Sequence, residues 1–227
     1  MSVMNYLSFV ISPLLILLAV LYLKFKFSIQ SFANIRNAIL LGMLGVLILY
    51  IANYLVELRW EGNYKNMRRM AFFVFIVIAF SSELAKFLAL KFSFFKLKNF
   101  HGPLEGIIYS VFLSLGFSMI STLLYAYGIV GAPDKMHNFT LFLYAIPLAN
   151  IVCAITMGFF IGMAKTRKNA FIDTSTGLGV ATFFHGLFYF AFVTSDIRLL
   201  VFVTIGFTII AITLLVKSVS IKMDERK

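Results

Sequence analysis

Seven long apolar segments separated by short polar loops account for most of the 227-residue chain. A hydrocarbon core of about 30 Å requires about 20 predominantly apolar residues per helix, and each segment is close to that length. The pattern therefore predicts an all-α, polytopic membrane protein: a bundle of about seven transmembrane helices forming a single domain over residues 1–227. The predicted spans cover residues 4–23, 37–56, 71–91, 104–128, 139–164, 174–195 and 198–216.

The composition excludes a soluble globular protein. Hydrophobic residues make up 61% of the chain and charged residues only 13%, and the mean hydropathy is +0.96. An ordinary soluble domain is about 45–50% apolar and about 25% charged. We expect membrane lipid to surround most of the chain, and the length leaves no room for a separate soluble catalytic domain.

The net charge of +11 does not indicate a nucleic-acid partner. The Lys and Arg residues lie in short loops, and no basic helix or aromatic-basic RNA motif is present. Their distribution instead predicts topology, because cytoplasmic loops of membrane proteins carry an excess of Lys and Arg. Most of them fall on the side opposite to the N-terminus, which predicts an external N-terminus and a cytoplasmic C-terminus. The loop from Glu57 to Arg69 opposes this trend.

Small residues recur at intervals of four in two of the predicted spans. Such stripes allow helix backbones to approach closely in lipid, and they predict a compact bundle. The stripe residues are Gly106, Ser110, Ser114 and Ser118 in the fourth span and Gly158 and Gly162 in the fifth.

A few polar residues interrupt the apolar spans, and these are the candidates for chemistry. Ionisable residues inside a membrane are costly and mark functional sites by default. Glu83 and Lys86 share one helix face because they are three residues apart. From the helical rise of about 1.5 Å per residue, Glu83, Asn150 and His185 all lie roughly 15–18 Å deep, and Ser121 roughly 10 Å deep. We expect the carboxylate, amide and imidazole groups to lie at one level, while the helix rotations that would bring them into one cavity stay open.

Each of these residues also has a structural interpretation. Glu83 and Lys86 can simply neutralise each other, and Lys86 is near enough to the cytoplasmic end to snorkel. His185 can be a packing histidine bonded to a neighbouring carbonyl. Asn150 can form an interhelical hydrogen bond, and Ser121 extends the small-residue stripe.

Residues 81–190 resemble the PrsW-type intramembrane proteases, which are grouped with the CAAX-processing endopeptidases and the seven-span scaffold subunit of γ-secretase. The stretch Ser82-Glu83-Leu84-Ala85-Lys86 is similar to the family's Glu-Glu-x-x-Lys/Arg motif. The stretches Pro103–Tyr109 and Leu115–Phe117 are similar to its Asp-Gly-x-x-Tyr and Gly-Phe patterns. His185-Gly186-Leu187-Phe188-Tyr189 is similar to its final His-x-x-x-Asn motif, and the order of the motifs also matches.

The sequence departs from the family pattern at several polar positions. Ser82 replaces the first Glu, Ser121-Thr122 replaces a Glu-Asn pair, Asn150 replaces the first His and Tyr189 replaces the final Asn. The run Gly116–Ser121 is closer to the γ-secretase scaffold subunit, which is not itself the protease. The resemblance therefore leaves catalytic competence open. It implies a catalytic set of Glu83, His185 and Asn150, supported by Lys86, Ser121 and Tyr189.

These residues can be assigned roles in peptide hydrolysis. Glu83 is the candidate base that activates water. His185 can stabilise the oxyanion or transfer a proton, and Asn150 can donate a hydrogen bond to the oxyanion. Lys86 is expected to keep Glu83 ionised. Catalytic zinc usually has three protein ligands, and only Glu83 and His185 are good candidates, so we expect no metal and no other cofactor.

Two interpretations remain open from the sequence. The first is a PrsW-like endopeptidase that cuts single-span or membrane-tethered proteins. The second is an inactive pseudoprotease scaffold that binds a partner's transmembrane helix. A transporter is less favoured because internal repeats and paired broken helices are not evident. The abundance of Phe and Lys suggests a low-GC genome, which is compatible with an integral protein of a bacterial inner membrane.

Overall fold

The computed structural model describes residues 3–26, 32–60 and 66–224, and within these ranges the chain is helical with no strand. Seven helices are long and apolar enough to cross a membrane, which confirms the predicted fold class and number of spans. In chain order they are α1 (Val3–Lys26), α2 (Phe32–Trp60), α3 (Met67–Phe94), α4 (Pro103–Ala126), α5 (Phe139–Thr166), α6 (Ala170–Val193) and α7 (Ile197–Asp224).

Several helices continue beyond the apolar segments that predicted them. Helix α2 begins at Phe32 and so includes Arg36, and α7 continues to Asp224 past Lys217 and Lys222. The hydropathy pattern marks only the part of a helix that lies in hydrocarbon. The hydrogen-bonded helix itself continues where charged side chains are tolerated.

The core of the bundle consists of α3, α4, α5 and α6. Buried residues make up 67% of the spanning windows of α4 and α5, 61% of that of α3 and 50% of that of α6. The corresponding figures for α1, α2 and α7 are 17%, 22% and 11%. The outer helices therefore present most of their apolar surface to lipid, and a polar group placed on α3 to α6 is shielded from it.

Glycines bring the backbones of neighbouring helices into contact. A Cβ atom on Gly106 of α4 would clash with the carbonyl oxygen of Gly158 of α5, and one on Gly162 would clash with Pro103. This contact agrees with the compact bundle predicted from the stripes of small residues, and the structure shows which two helices meet. A similar crossing, which the stripes did not predict, joins α2 to α4, where Gly42 lies against the backbone of Leu113.

Helix α3 changes its winding on both sides of the polar motif. Two π-helical segments, Phe73–Phe80 and Leu90–Phe94, flank an α-helical segment, Ser81–Ala89. The Ser82 hydroxyl donates a 2.6 Å hydrogen bond back to the carbonyl of Ile78. Wider turns of this kind shift the phase of the side chains that follow, and they often occur at functional sites.

Polar contacts close the bundle at its two ends. At the end that carries the N-terminus, the N-terminal face, Thr140 donates a 2.9 Å hydrogen bond to Asn5. At the opposite end, the C-terminal face, Lys222 of α7 lies 2.8 Å from Glu105 at the start of α4. The buried interior lies between these faces.

Candidate active site

Glu83 lies at the centre of a buried polar network that joins α3 and α6. Its Oε1 atom accepts a 2.6 Å hydrogen bond from Lys86 Nζ and lies 2.7 Å from His185 Nδ1. The side chains of Glu83, Lys86 and His185 are only 0%, 1% and 3% exposed. The structure therefore brings together the three residues that match the family's polar positions.

Asn150 adds α5 to the network through Lys86. The Lys86 ammonium group donates a 2.7 Å hydrogen bond to Asn150 Oδ1 and lies 5.1 Å from the centre of the Phe117 ring. The amide group of Asn150 does not itself bond to Glu83. Lys86 thus bridges a carboxylate on its own helix and an amide on α5, and the aromatic face adds a favourable cation–π contact.

Ser118 of α4 completes the network and orients the amide group of Asn150. Asn150 Nδ2 donates a 3.0 Å hydrogen bond to Ser118 Oγ, and Ser118 Oγ donates at 2.8 Å to the carbonyl of Ser114. Sequence reasoning assigned Ser118 only to the packing stripe. Its place beside Asn150 depends on the rotations of α4 and α5, which spacing within one helix does not reveal.

The two carboxylate oxygens of Glu83 differ in their surroundings. Oε1 accepts both strong hydrogen bonds, whereas the buried Oε2 has no hydrogen-bond partner within the described ranges. An ionised carboxylate has several acceptor positions. Oε2 therefore retains the capacity to accept a proton from a water molecule.

The contact with Glu83 defines the protonation of one nitrogen of His185. A carboxylate only accepts hydrogen bonds, so Nδ1 of His185 carries the proton that it shares with Glu83 Oε1. In the neutral imidazole, Nε2 is then the proton acceptor. A ring held in this orientation can exchange a proton at Nε2 while Nδ1 stays bonded to the carboxylate.

The remaining two candidates lie apart from the network. Ser121 is buried on α4, and its hydroxyl bonds to no part of the chain that the structure describes. The Tyr189 hydroxyl accepts a 3.0 Å hydrogen bond from the backbone N–H of Ala132, in the loop between α4 and α5. Asn53 accepts a 3.1 Å hydrogen bond from the N–H of Gly131 in the same loop. Tyr189 therefore ties this loop to α6 and does not contact Glu83.

A groove between α5, α6 and α7 lies beside the network and has a volume of about 510 Å³. Cys153 lines it, one turn along α5 from Asn150, and Phe184 and Phe188 line it on either side of His185. Leu141 and Leu148 on the rim are more than half exposed. The groove, called the α5–α7 groove below, is apolar and opens at the outer surface of the bundle.

The seven-helix bundle buries a carboxylate and an imidazole in contact, and this is a pair of groups that general acid–base catalysis can use. Residues 31–216 match the family described as PrsW family intramembrane metalloprotease. The chain belongs to this family. The match begins before the 81–190 region of the sequence resemblance and ends after it, so it covers all of the spans except the first.

Named relatives support the family assignment. The chain is 32% identical over 172 residues to Protease PrsW of Oceanobacillus iheyensis, covering 73% of this chain and 72% of the relative. It is 29% identical to Protease PrsW of Clostridioides difficile, covering 70% and 66% of the two chains. It is 26% identical to Protease PrsW of Bacillus subtilis, covering 68% and 66%. No solved structure matches significantly.

The family description implies a metal ion, and the donor set of this chain does not fit one. The described ranges contain no group of three His, Cys, Asp or Glu side chains that could hold a metal. The third position near Glu83 and His185 is an amide oxygen, which already accepts from Lys86. Catalytic zinc usually requires three protein ligands and an open position.

Proposed function

We propose that this chain is an intramembrane endopeptidase that hydrolyses transmembrane or membrane-tethered proteins, with Glu83 as the base that activates water. The observation that carries this proposal is the 2.7 Å contact between Glu83 Oε1 and His185 Nδ1. Oε2 is left without a hydrogen-bond partner among the described residues. Family membership supports the protease activity in general.

In this proposal each residue has a distinct task. Glu83 Oε2 accepts a proton from water while the water oxygen attacks the peptide carbonyl. The proton that Glu83 takes from water is the one that the leaving amine requires, and His185, whose neutral Nε2 can accept a proton and release it again, transfers it. Lys86 neutralises the carboxylate in its dry surroundings. Asn150 holds Lys86 through its oxygen, so we assign it a positioning role instead of the oxyanion contact expected from the sequence.

The α5–α7 groove supports a substrate that approaches from within the membrane. It is lined by apolar side chains and lies next to the helix positions that carry Asn150 and His185. A substrate helix seated in the groove would contact Cys153, Phe184 and Phe188, which are close in sequence to Asn150 and His185. A peptide bond could then reach Glu83 only after local unwinding, because an intact helix already uses its carbonyl groups in hydrogen bonds.

A pseudoprotease scaffold is the second candidate. The observation that favours it is the pairing of Glu83 Oε1 with two donors. The replacement of family residues by Ser82, Ser121, Asn150 and Tyr189 supports it as well. A buried ion pair of this kind also occurs as a purely structural element. Under this alternative, the chain binds a partner's transmembrane helix without cutting it.

Co-expression separates the two candidates. Tagged single-span membrane proteins are expressed with the unmodified chain, Glu83→Gln or His185→Ala, and their fragments are followed by immunoblotting. The protease predicts a fragment that is lost in both variants. Stable co-purification of a full-length partner, unchanged in both variants and without any fragment in any pairing, contradicts the protease and supports the scaffold.

The location and direction of the chain are also part of the proposal. The named relatives are bacterial, which supports a bacterial inner membrane as the site of action. The distribution of Lys and Arg supports a cytoplasmic C-terminus. A C-terminal phosphatase fusion, active only outside the cytoplasm, is expected to be inactive; an active fusion contradicts this orientation.

A further inference from the structure

We propose that the ammonium group of Lys86 is the resident cation of this site, where the family description would lead one to expect a metal ion. The evidence is the position of Nζ between two oxygen atoms from different helices. It lies 2.6 Å from Glu83 Oε1 and 2.7 Å from Asn150 Oδ1. This inference concerns the occupant of the site and does not depend on whether the chain cuts peptides.

The charges of the network are balanced without a metal ion. Glu83 contributes one negative charge and Lys86 one positive charge, and both side chains are buried. Zinc bonds to carboxylate oxygen at about 2.0–2.2 Å, so a metal ion on Glu83 Oε1 would lie beside the ammonium group. Two cations so close in a medium of low dielectric constant repel each other strongly.

The hydrogen-bond chain from Ser114 orients Asn150 for an ammonium group. Ser118 Oγ donates its hydrogen to the carbonyl of Ser114, so it can only accept from Asn150. Asn150 must then point its Nδ2 atom at Ser118 and its Oδ1 atom at Lys86. An ammonium group has three donors and no acceptor, so it requires the amide oxygen in this orientation.

Asn150 is the residue that distinguishes this site from one with a stronger metal ligand. The sequence resemblance places a histidine of the family at this position, and imidazole is a common metal ligand. An Asn150→His change would add a second imidazole near Glu83 and His185. A Lys86→Met change would remove the competing cation. The Asn150→His/Lys86→Met double variant should therefore convert the site into one with three metal ligands.

Metal analysis of purified protein tests this inference. The full chain is purified through an epitope tag without metal-affinity resin, equilibrated with Zn²⁺, desalted and analysed by mass spectrometry of the elements. We expect far less than one equivalent of zinc in the unmodified chain and about one equivalent in the double variant. The Lys86→Met and Asn150→His single variants are expected to bind less zinc than the double variant.

Each result bears on the inference independently of cleavage. Stoichiometric zinc in the unmodified chain would overturn it. A double variant that elutes as a folded, monodisperse protein and still binds no zinc would also overturn it, because Lys86 would then not be what excludes the metal. If the double variant does not fold, the zinc content of the unmodified chain alone tests the inference. If the unmodified chain binds no zinc and also cleaves no substrate, that result counts against the proposed function only.

Discussion

Glu83 and His185 are separated by 102 residues in the sequence, yet Glu83 Oε1 and His185 Nδ1 lie 2.7 Å apart. Both side chains are buried, so the contact exists only when α3 and α6 are packed together. Burial strengthens the hydrogen bond and raises the cost of leaving either group unpaired. The proposed catalytic pair is therefore also part of what holds the two helices in register.

Removing Lys86 should destabilise the protein because it leaves the Glu83 carboxylate without its counter-ion. We expect Lys86→Met to lower the free energy of unfolding by about 3–5 kcal/mol. The Glu83→Gln/Lys86→Met double variant should recover part of this loss, since neither charge remains. Thermal unfolding in detergent measures both effects, with the exposed Lys168→Met as the control. A double variant less stable than Lys86→Met contradicts the pairing.

The crossing of α4 and α5 should not tolerate a larger residue. Gly106→Val is expected to destabilise the bundle by at least about 1–3 kcal/mol, because the backbone of Gly158 lies where the side chain would go. Gly206→Val is the matched control, since a Cβ at that position meets nothing within 4 Å. Equal melting temperatures for the two variants would show that the crossing is not close.

Filling the α5–α7 groove should block substrates and leave the network intact. Ala145 lines this groove, and Ala145→Trp is expected to reduce cleavage of a membrane-embedded substrate by an order of magnitude or more. Ala19 lines a second apolar groove of similar size, about 540 Å³, between α1, α4, α5 and α7. The Ala19→Trp variant should cleave the same substrate at the normal rate. Equal activity of the two variants would rule out substrate entry through the α5–α7 groove.

The Tyr189 hydroxyl should stabilise the loop between α4 and α5. The Tyr189→Phe change leaves the backbone N–H of Ala132 without its acceptor, at a cost of about 1–3 kcal/mol. Limited proteolysis at residues 127–138 should become faster. Tyr127→Phe, at an exposed position of the same loop, is the control. Unchanged proteolysis of Tyr189→Phe would mean that the hydroxyl does not hold the loop.

Much of the fold follows from local sequence features. Seven apolar segments predicted the seven helices, and the stripes of small residues predicted a compact bundle. The helical rise placed Glu83, Asn150 and His185 at one level; in the structure His185 contacts Glu83 directly and Lys86 links Glu83 to Asn150. The number of spans and the common depth of these residues depend only on spacing within single helices.

Other features depend on how the helices are rotated about their axes, which spacing alone does not determine. The Ser118 contact with Asn150 requires a particular face of α4 to meet a particular face of α5. The π-helical segments of α3 change the phase of the side chains after Phe73. Tyr189 was grouped with the site because it occupies a family motif position, but its hydroxyl meets a loop whose path the sequence pattern does not specify.

The central claim is that Glu83 activates the water that cuts the peptide bond. The most direct measurement uses purified protein in lipid vesicles, with a single-span substrate selected by co-expression and with ¹⁸O-labelled water. We predict that mass spectrometry will find ¹⁸O in the new carboxylate with the unmodified chain. The Glu105→Gln variant, which changes another buried carboxylate, should also give ¹⁸O-labelled product. Glu83→Gln should yield no product. Labelled product from Glu83→Gln at the normal rate would contradict the account.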